Sequence, residues 1–193
     1  RSRGPRPLAV ARYEMYESWL RFYSDRSYAL VVDTRDTYFQ DDPFRSFRGG
    51  PGDVFVYQEN AQIKNVGNCP FNSGWLSCFD KPDGESLQTW RGILRRPTPF
   101  VKEHSRKAVH CSGSTLGGRR AMAAYVDAMV AAMDAHRCHE SPFDAIQSDQ
   151  GYHNYLVLSG TLAKIVNLTS VPQGRGAVNT IGALNGGDVP EEF

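Results

Sequence analysis

Four aspartates and an arginine follow a strand-like apolar run in "ALVVDTRDTYFQDDPF", residues 29 to 44: Asp33, Arg35, Asp36, Asp41 and Asp42. Along a strand, residues two apart share a face and residues three apart do not. Asp33 and Asp36 therefore converge only if the strand ends near residue 33 and the chain turns. Carboxylates at the carboxyl end of such a strand could hold a hard divalent cation, and that cation could neutralise a diphosphate and stabilise it as it departs. The same acids also suit a solvated, helix-capping turn, with Asp41 or Asp42 ahead of Pro43. Two other chemistries are disfavoured by spacing. A phosphatase-type aspartate works with a second aspartate two positions on, where this chain has Arg35, and the GxxxxGK[ST] pattern of a phosphate-cradling loop does not occur. "STLGGRR" (114 to 120) is glycine-rich and precedes a helical pattern, so its amides could receive an anion.

The elements that must position these groups alternate as in a layered α/β domain. A helix is predicted over 8 to 24, with Leu8, Ala11, Met15, Trp19 and Phe22 on one face at three- and four-residue steps. "YALVV" (28 to 32) has the continuous apolar pattern of a strand buried on both faces in a largely parallel sheet. "DVFVYQE" (53 to 59) alternates as a half-exposed strand, after the turn "RGGPGD". From 69 to 106 prolines punctuate an irregular excursion around Trp75 and Trp90, of the kind that often covers a binding site. A strand at 107 to 111 then enters a small-residue turn and a helix from about 118 to 137, where Met122, Tyr125, Met129 and Met133 form a core-facing stripe. A further helix starts near Asp149, and two short strands follow in "AKIVNL" and "AVNTIGAL".

Composition bounds the partners. The 193 residues are 40% hydrophobic and carry 22 basic against 21 acidic groups, a net charge of +1, so one sizeable core is expected in a single domain and no field gathers nucleic acid or anionic membrane. No apolar run reaches the roughly 18 to 20 residues of a membrane span, and "RSRGPRPLAV" lacks the apolar core of a signal peptide. A start without Met suggests a processed precursor or part of a longer protein. Cys69, Cys78, Cys111 and Cys138 allow two disulfides. A Cys69–Cys78 bridge is weighed against buried free thiols, and zinc is the weaker reading of their wide spacing. Asn167-Leu168-Thr169 fits a glycosylation sequon, which matters only in a secretory compartment.

Three segments in order, "LVVDTRDTYFQDDPF", "VHCSGSTLGGRRAMAAYV" and "SDQGYHNYL", resemble the signature of GT-A-fold nucleotide-diphosphosugar glycosyltransferases: an Asp-rich motif after a strand, a Ser-Gly strand-to-helix turn and an Asp-Gln helix start. The resemblance spans most of residues 8 to 187. It implies a Rossmann-like, mixed but mostly parallel sheet flanked by helices, and transfer of a sugar from a nucleotide-sugar donor to a glycan, protein or lipid hydroxyl. It further implies Mn2+ or Mg2+ as cofactor and the Golgi lumen or secretion as location, with the cytoplasm as the alternative.

Carried over by position, the resemblance assigns Asp33 and Asp36 to the metal and Arg35 to phosphate or to bracing the loop. It places Ser112, Gly113 and Ser114 beside the donor sugar, Asp149 and Gln150 at the reacting centre, and Asn154 one turn behind. Asp149 is the first choice for an inward carboxylate, as base or as stabiliser of positive charge. The chain also departs from the pattern. Its acids in "DTRD" stand three apart instead of two, and no histidine follows His153 as a further ligand. Little more than one helix precedes Asp33 where such domains have nucleotide-binding strands. Either those strands lie outside this chain, or the protein is a catalytically inactive binding or scaffolding relative.

Overall fold

The computed structural model describes residues 6–35, 37–80, 97–136, 138 and 148–181. Asp36, Pro82, Trp90 and the end of "AVNTIGAL" lie outside them.

The chain opens with α1 (Leu8–Leu20), then β1 (Tyr28–Val32), β2 (Thr37–Phe39), the short α2 (Pro43–Ser46) and β3 (Asp53–Gln58). After α3 (Pro70–Ser77) and α4 (Pro99–His104) come β4 (His110–Gly118), α5 (Arg119–His136), α6 (Ser148–Leu158), β5 (Asn167–Val171) and β6 (Val178–Thr180). A four-stranded sheet has the order β1-β4-β3-β5, and β2 and β6 form a separate antiparallel pair. Among the described residues the sheet is mixed and mostly antiparallel: β4 runs antiparallel to both β1 and β3, while β3 and β5 run parallel.

This topology corrects the expectation for "YALVV". Its apolar run does serve two faces, since Ala29 and Val31 meet the main core while Leu30 and Val32 meet a second one. Yet the strand stands at the end of the described sheet and pairs antiparallel. No residue of β1 is fully buried, so its apolar run reports two partly covered faces, and it carries no information on strand direction. β3, expected half exposed, lies between β4 and β5; Val54 and Val56 enter one core while Phe55 and Tyr57 join the other.

The largest correction concerns "HCSGSTLGG". Expected to leave the strand by a turn, it is strand throughout, with all nine residues of β4 buried, and α5 begins at the next residue. Ser and Gly here are what a strand crowded from both sides requires. A Cβ on Gly118 would stand 2.6 Å from Pro51 Cα, and one on Gly117 2.7 Å from the Asp53 carbonyl.

On α5 the stripe Met122, Tyr125, Met129 and Met133 is buried as its spacing predicts, against Val10, Tyr13 and Leu20 of α1 and Tyr152 and Leu156 of α6. α1 itself ends at Leu20 and turns the other way round: Leu8 is 76% and Phe22 86% exposed, with Met15 and Trp19 also outward. Its apolar residues run almost all round the helix, so periodicity does not select a face.

The disulfide joins Cys78 to Cys138, whereas Cys69 and Cys111 are buried free thiols. Cys69 and Cys78 bracket α3, one at each end. A helix rises about 1.5 Å per residue, so they stand roughly 13 Å apart along it, beyond the reach of a bridge.

Candidate functional site

The predicted carboxylates meet through a residue that sequence reasoning did not single out. Arg12, in the middle of α1, donates through Nη1 to Asp33 Oδ1 at 2.6 Å and through Nη2 to Asp149 Oδ2 at 2.5 Å. Three elements converge here: α1 from one side, the end of β1 that carries Asp33, and the first turn of α6 that carries Asp149. The N-terminal end of a helix favours a carboxylate, which suits the placement of Asp149. The Asp149 side chain is 6% exposed and that of Asp33 39%, so the pair has a sealed inner carboxylate and an open outer one.

β4 forms the floor. The main-chain amide of Asp33 donates to the Gly113 carbonyl at 2.8 Å, and the Asp33 carboxylate lies across the bare face of Gly113. A Cβ there would fall 2.1 Å from Asp33 Oδ2, so only glycine admits this approach. Ser112 lies beside Asp149 and holds its carboxyl pKa down. Ser114 is fully buried opposite Val32, with its hydroxyl on the Cys111 carbonyl at 3.4 Å.

The electrostatics follow from burial. Desolvation alone would lower the Arg12 pKa, but Tyr13, Asp149 and Asp33 outweigh it and raise the value, so the guanidinium is permanently charged. Burial pushes the Asp149 carboxyl above the usual range, while Arg12 and Ser112 oppose that rise. Tyr13 lies under the guanidinium, its ring centroid 5.6 Å from Cζ; burial, more than any neighbour, holds its phenol protonated. Behind it the Tyr13 hydroxyl meets that of Tyr125 at 3.4 Å, which in turn meets His153 Nδ1 at 2.8 Å. His153 is thus a buried structural histidine, with its pKa lowered to about 3 by desolvation first and by His110 and Arg12 after it.

The remaining predicted residues take other places. Gln150 Nε2 donates to Glu59 Oε1 at 3.0 Å and to Asn72 Oδ1 at 3.2 Å, in a polar knot where Lys64 also pairs with Glu59 at 2.9 Å. Asn154 holds both main-chain groups of His110: it accepts from the amide and donates to the carbonyl, each at 2.8 Å. Its amide thereby pins α6 to β4. Arg35 is exposed in the turn after β1. Asp41 and Asp42 belong to the cap of α2, where Asp42 Oδ1 accepts from the amides of Phe44 and Arg45 and Asp41 accepts from Ser46. The capping alternative therefore describes these two acids.

Among the described residues no group of three His, Cys, Asp or Glu side chains that could hold a metal ion occurs, and Asp36, the second expected ligand, lies outside them. The countercharge between Asp33 and Asp149 is the Arg12 guanidinium. The open side of the arrangement is Asp33, whose carboxylate can accept from a ligand hydroxyl, while the Arg12 guanidinium has both Nη atoms on carboxylates and its Nε buried without a partner.

Compared with known proteins, the chain matches no family model, no curated protein and no solved structure. No helix of the described residues is long and apolar enough to cross a membrane.

Proposed function

We propose that this chain is a glycosyltransferase of GT-A-like architecture, moving a sugar from a nucleotide-sugar donor to a hydroxyl acceptor, and that Asp33 and Arg12 hold the hydroxyls of the transferred sugar while Asp149 fixes Arg12 from behind. One observation carries the reading: a single guanidinium joins two carboxylates 116 residues apart in sequence, 149 less 33, above a glycine that leaves room for the outer one. The buried arm to Asp149 serves stability, whereas the part-exposed Asp33 arm contributes little to it, so the open Asp33 side is the part that points to binding.

In this reading Asp33 and the Arg12 edge face the ligand. Asp149, sealed behind them, fixes the guanidinium and acts as a positioning group. The bond broken is that between the anomeric carbon and the diphosphate oxygen; the bond formed joins that carbon to the acceptor oxygen, whose proton leaves to solvent or base. Fixed polar groups aid such a step by pre-orienting the sugar, at no reorganisation cost. The disulfide suits an oxidising compartment, which supports maturation in the secretory pathway.

A binding or scaffolding module without turnover is the second reading. It is favoured by Asn154 and Gln150, whose amides are spent on protein groups. The test is titration calorimetry with uridine and guanosine diphosphate sugars, with EDTA and separately with Mn2+, followed by product analysis on saccharide acceptors. Donor binding weakened at least tenfold by Arg12→Lys, together with turnover, supports the transferase. Binding without turnover supports the module, and no binding in either metal condition removes both.

A further inference from the structure

A cavity lies on the second core's side of the sheet, away from the Arg12 site. It encloses about 370 Å³, within the roughly 300 to 1,000 Å³ typical of small-molecule sites. Its floor is aromatic: Phe47, Phe55 and Tyr57 line it, with Phe47 and Phe55 packed edge-to-face at 4.7 Å. Its rim is polar, with Gln40, Asp41 and Arg175 around the mouth.

Two features of this cavity indicate a ligand. Tyr57 is only 4% exposed, yet among the described residues its hydroxyl has no hydrogen-bond partner, and that oxygen is not among the unpaired polar atoms sealed from solvent. A phenol in this position normally finds a partner, and this one has only the cavity. Gly176 lies against the Tyr57 ring so closely that a Cβ would stand 2.8 Å from Cε1, which leaves the segment 175 to 177 pressed over the floor. Around the rim donors and an acceptor alternate. The Gln40 carbonyl oxygen is taken by Asn179 Nδ2 at 2.8 Å, so the Gln40 amide is presented as a donor. Arg175 and Tyr57 supply further donors, and Asp41, oriented by Ser46, supplies a carboxylate.

We infer that this cavity is a binding site for a neutral saccharide ring, separate from the Arg12 site. A pyranose has apolar C–H faces for the aromatic floor and vicinal hydroxyls that both donate and accept at the rim. An inorganic or nucleotide phosphate would meet Asp41, and a wholly apolar ligand would leave the Tyr57 hydroxyl without a partner. The two sites share one stretch of chain. Thr37 Oγ1, at the start of β2, donates to the Asp33 carbonyl at 2.6 Å, and β2 runs on to Gln40 and Asp41 at the rim. The site stands on its own geometry and does not depend on the transferase reading.

The experiment is saturation-transfer NMR and calorimetry on the full chain with methyl glycosides of glucose, galactose, mannose and N-acetylglucosamine. It is carried out on wild type, Tyr57→Phe, Arg175→Gln and Arg12→Lys, with circular dichroism as the check on folding. Saturable binding at about millimolar dissociation constant is expected for at least one glycoside. It should weaken about fivefold to tenfold in Tyr57→Phe and in Arg175→Gln and be unchanged in Arg12→Lys. Absence of binding up to about 20 mM overturns the inference. So does binding that is sensitive to Arg12→Lys and indifferent to Tyr57→Phe, which would place the saccharide in the first site and leave the transferase reading intact. Nucleotide-sugar titrations on the same samples report separately on that reading: their failure beside Tyr57-dependent glycoside binding leaves a saccharide-binding protein without transfer.

Discussion

Replacing Arg12 with glutamine tests the central ionic arrangement directly. The substitution keeps length and some hydrogen bonding but removes the charge that two carboxylates share. The two arms differ in worth. Asp149 is 6% exposed, and stripping the partner from a buried charge costs about 3 to 5 kcal/mol. Asp33 is 39% exposed, so water screens its arm to about 0 to 1 kcal/mol. A loss of about 3 to 4 kcal/mol is therefore expected near pH 7, read from urea unfolding followed by tryptophan fluorescence. The pH dependence has a definite sign. Without Arg12 the Asp149 carboxyl, already raised by burial, rises further above its unfolded value of about 3.9. A raised carboxyl contributes stability that is present below the unfolded pKa and lost as pH climbs through the folded one. The deficit of Arg12→Gln relative to wild type should thus be largest at neutral pH and shrink as pH falls toward about 4 to 5. Adding Asp149→Asn should restore at least half of the loss, because the buried charge is gone. A cost below about 0.5 kcal/mol, or an Asp149→Asn effect that adds to it, would refute the idea that Arg12 is the countercharge.

Three further outcomes follow from the geometry. Gly113→Ala should displace the Asp33 carboxylate, which an added Cβ meets at 2.1 Å, and cost about 1 to 3 kcal/mol; chemical shifts of the Arg12 guanidinium would report the broken pair, and unchanged shifts would contradict the close approach. Mass spectrometry of an unreduced digest should recover Cys78 linked to Cys138, with Cys69 and Cys111 alkylatable after unfolding. Reduction should lower stability by roughly 2 to 4 kcal/mol, since the bridge closes a long loop. Burial lowers His110 to about 4 and His153 to about 3, below the unfolded value near 6.5, so the unfolded chain takes up protons first and stability should fall as pH drops from about 6.5 toward 4. The slope approaches about 1.4 kcal/mol per pH unit for each histidine, and His153→Gln should remove about half of it; urea midpoints at pH 7, 6 and 5 decide the matter.

Some of this protein was legible in the residues alone. The stripe of Met122, Tyr125, Met129 and Met133 faces the core because a helix repeats every 3.6 residues whatever surrounds it. The start of α6 at Ser148, beside Asp149, and the strand at 28 to 32 with its end just before Asp33, are local properties of the same kind. The meeting of Asp33, Gly113 and Asp149 is of another kind: it is expected from motifs at strand ends and helix starts, but Gly113 lies inside β4, and the sheet and α1 bring the three together.

Tertiary packing decided the rest. Which face of α1 turns inward depends on where α5 lies, and its apolar residues on nearly every side leave the choice to that neighbour. Arg12 was hidden for the same reason: on an isolated helix a lone arginine reads as a solvated charge, and only the inward face brings it to Asp33 and Asp149. Glycine and serine in "CSGSTLGG" signal a turn by propensity, but β1 and β3 on either side supply hydrogen bonds and crowding that hold the segment as a central strand. Strand direction and cysteine pairing are likewise properties of the assembled chain. Neither β1 nor Cys78 carries any local mark of β4 or Cys138, and only the folded core brings those partners within reach.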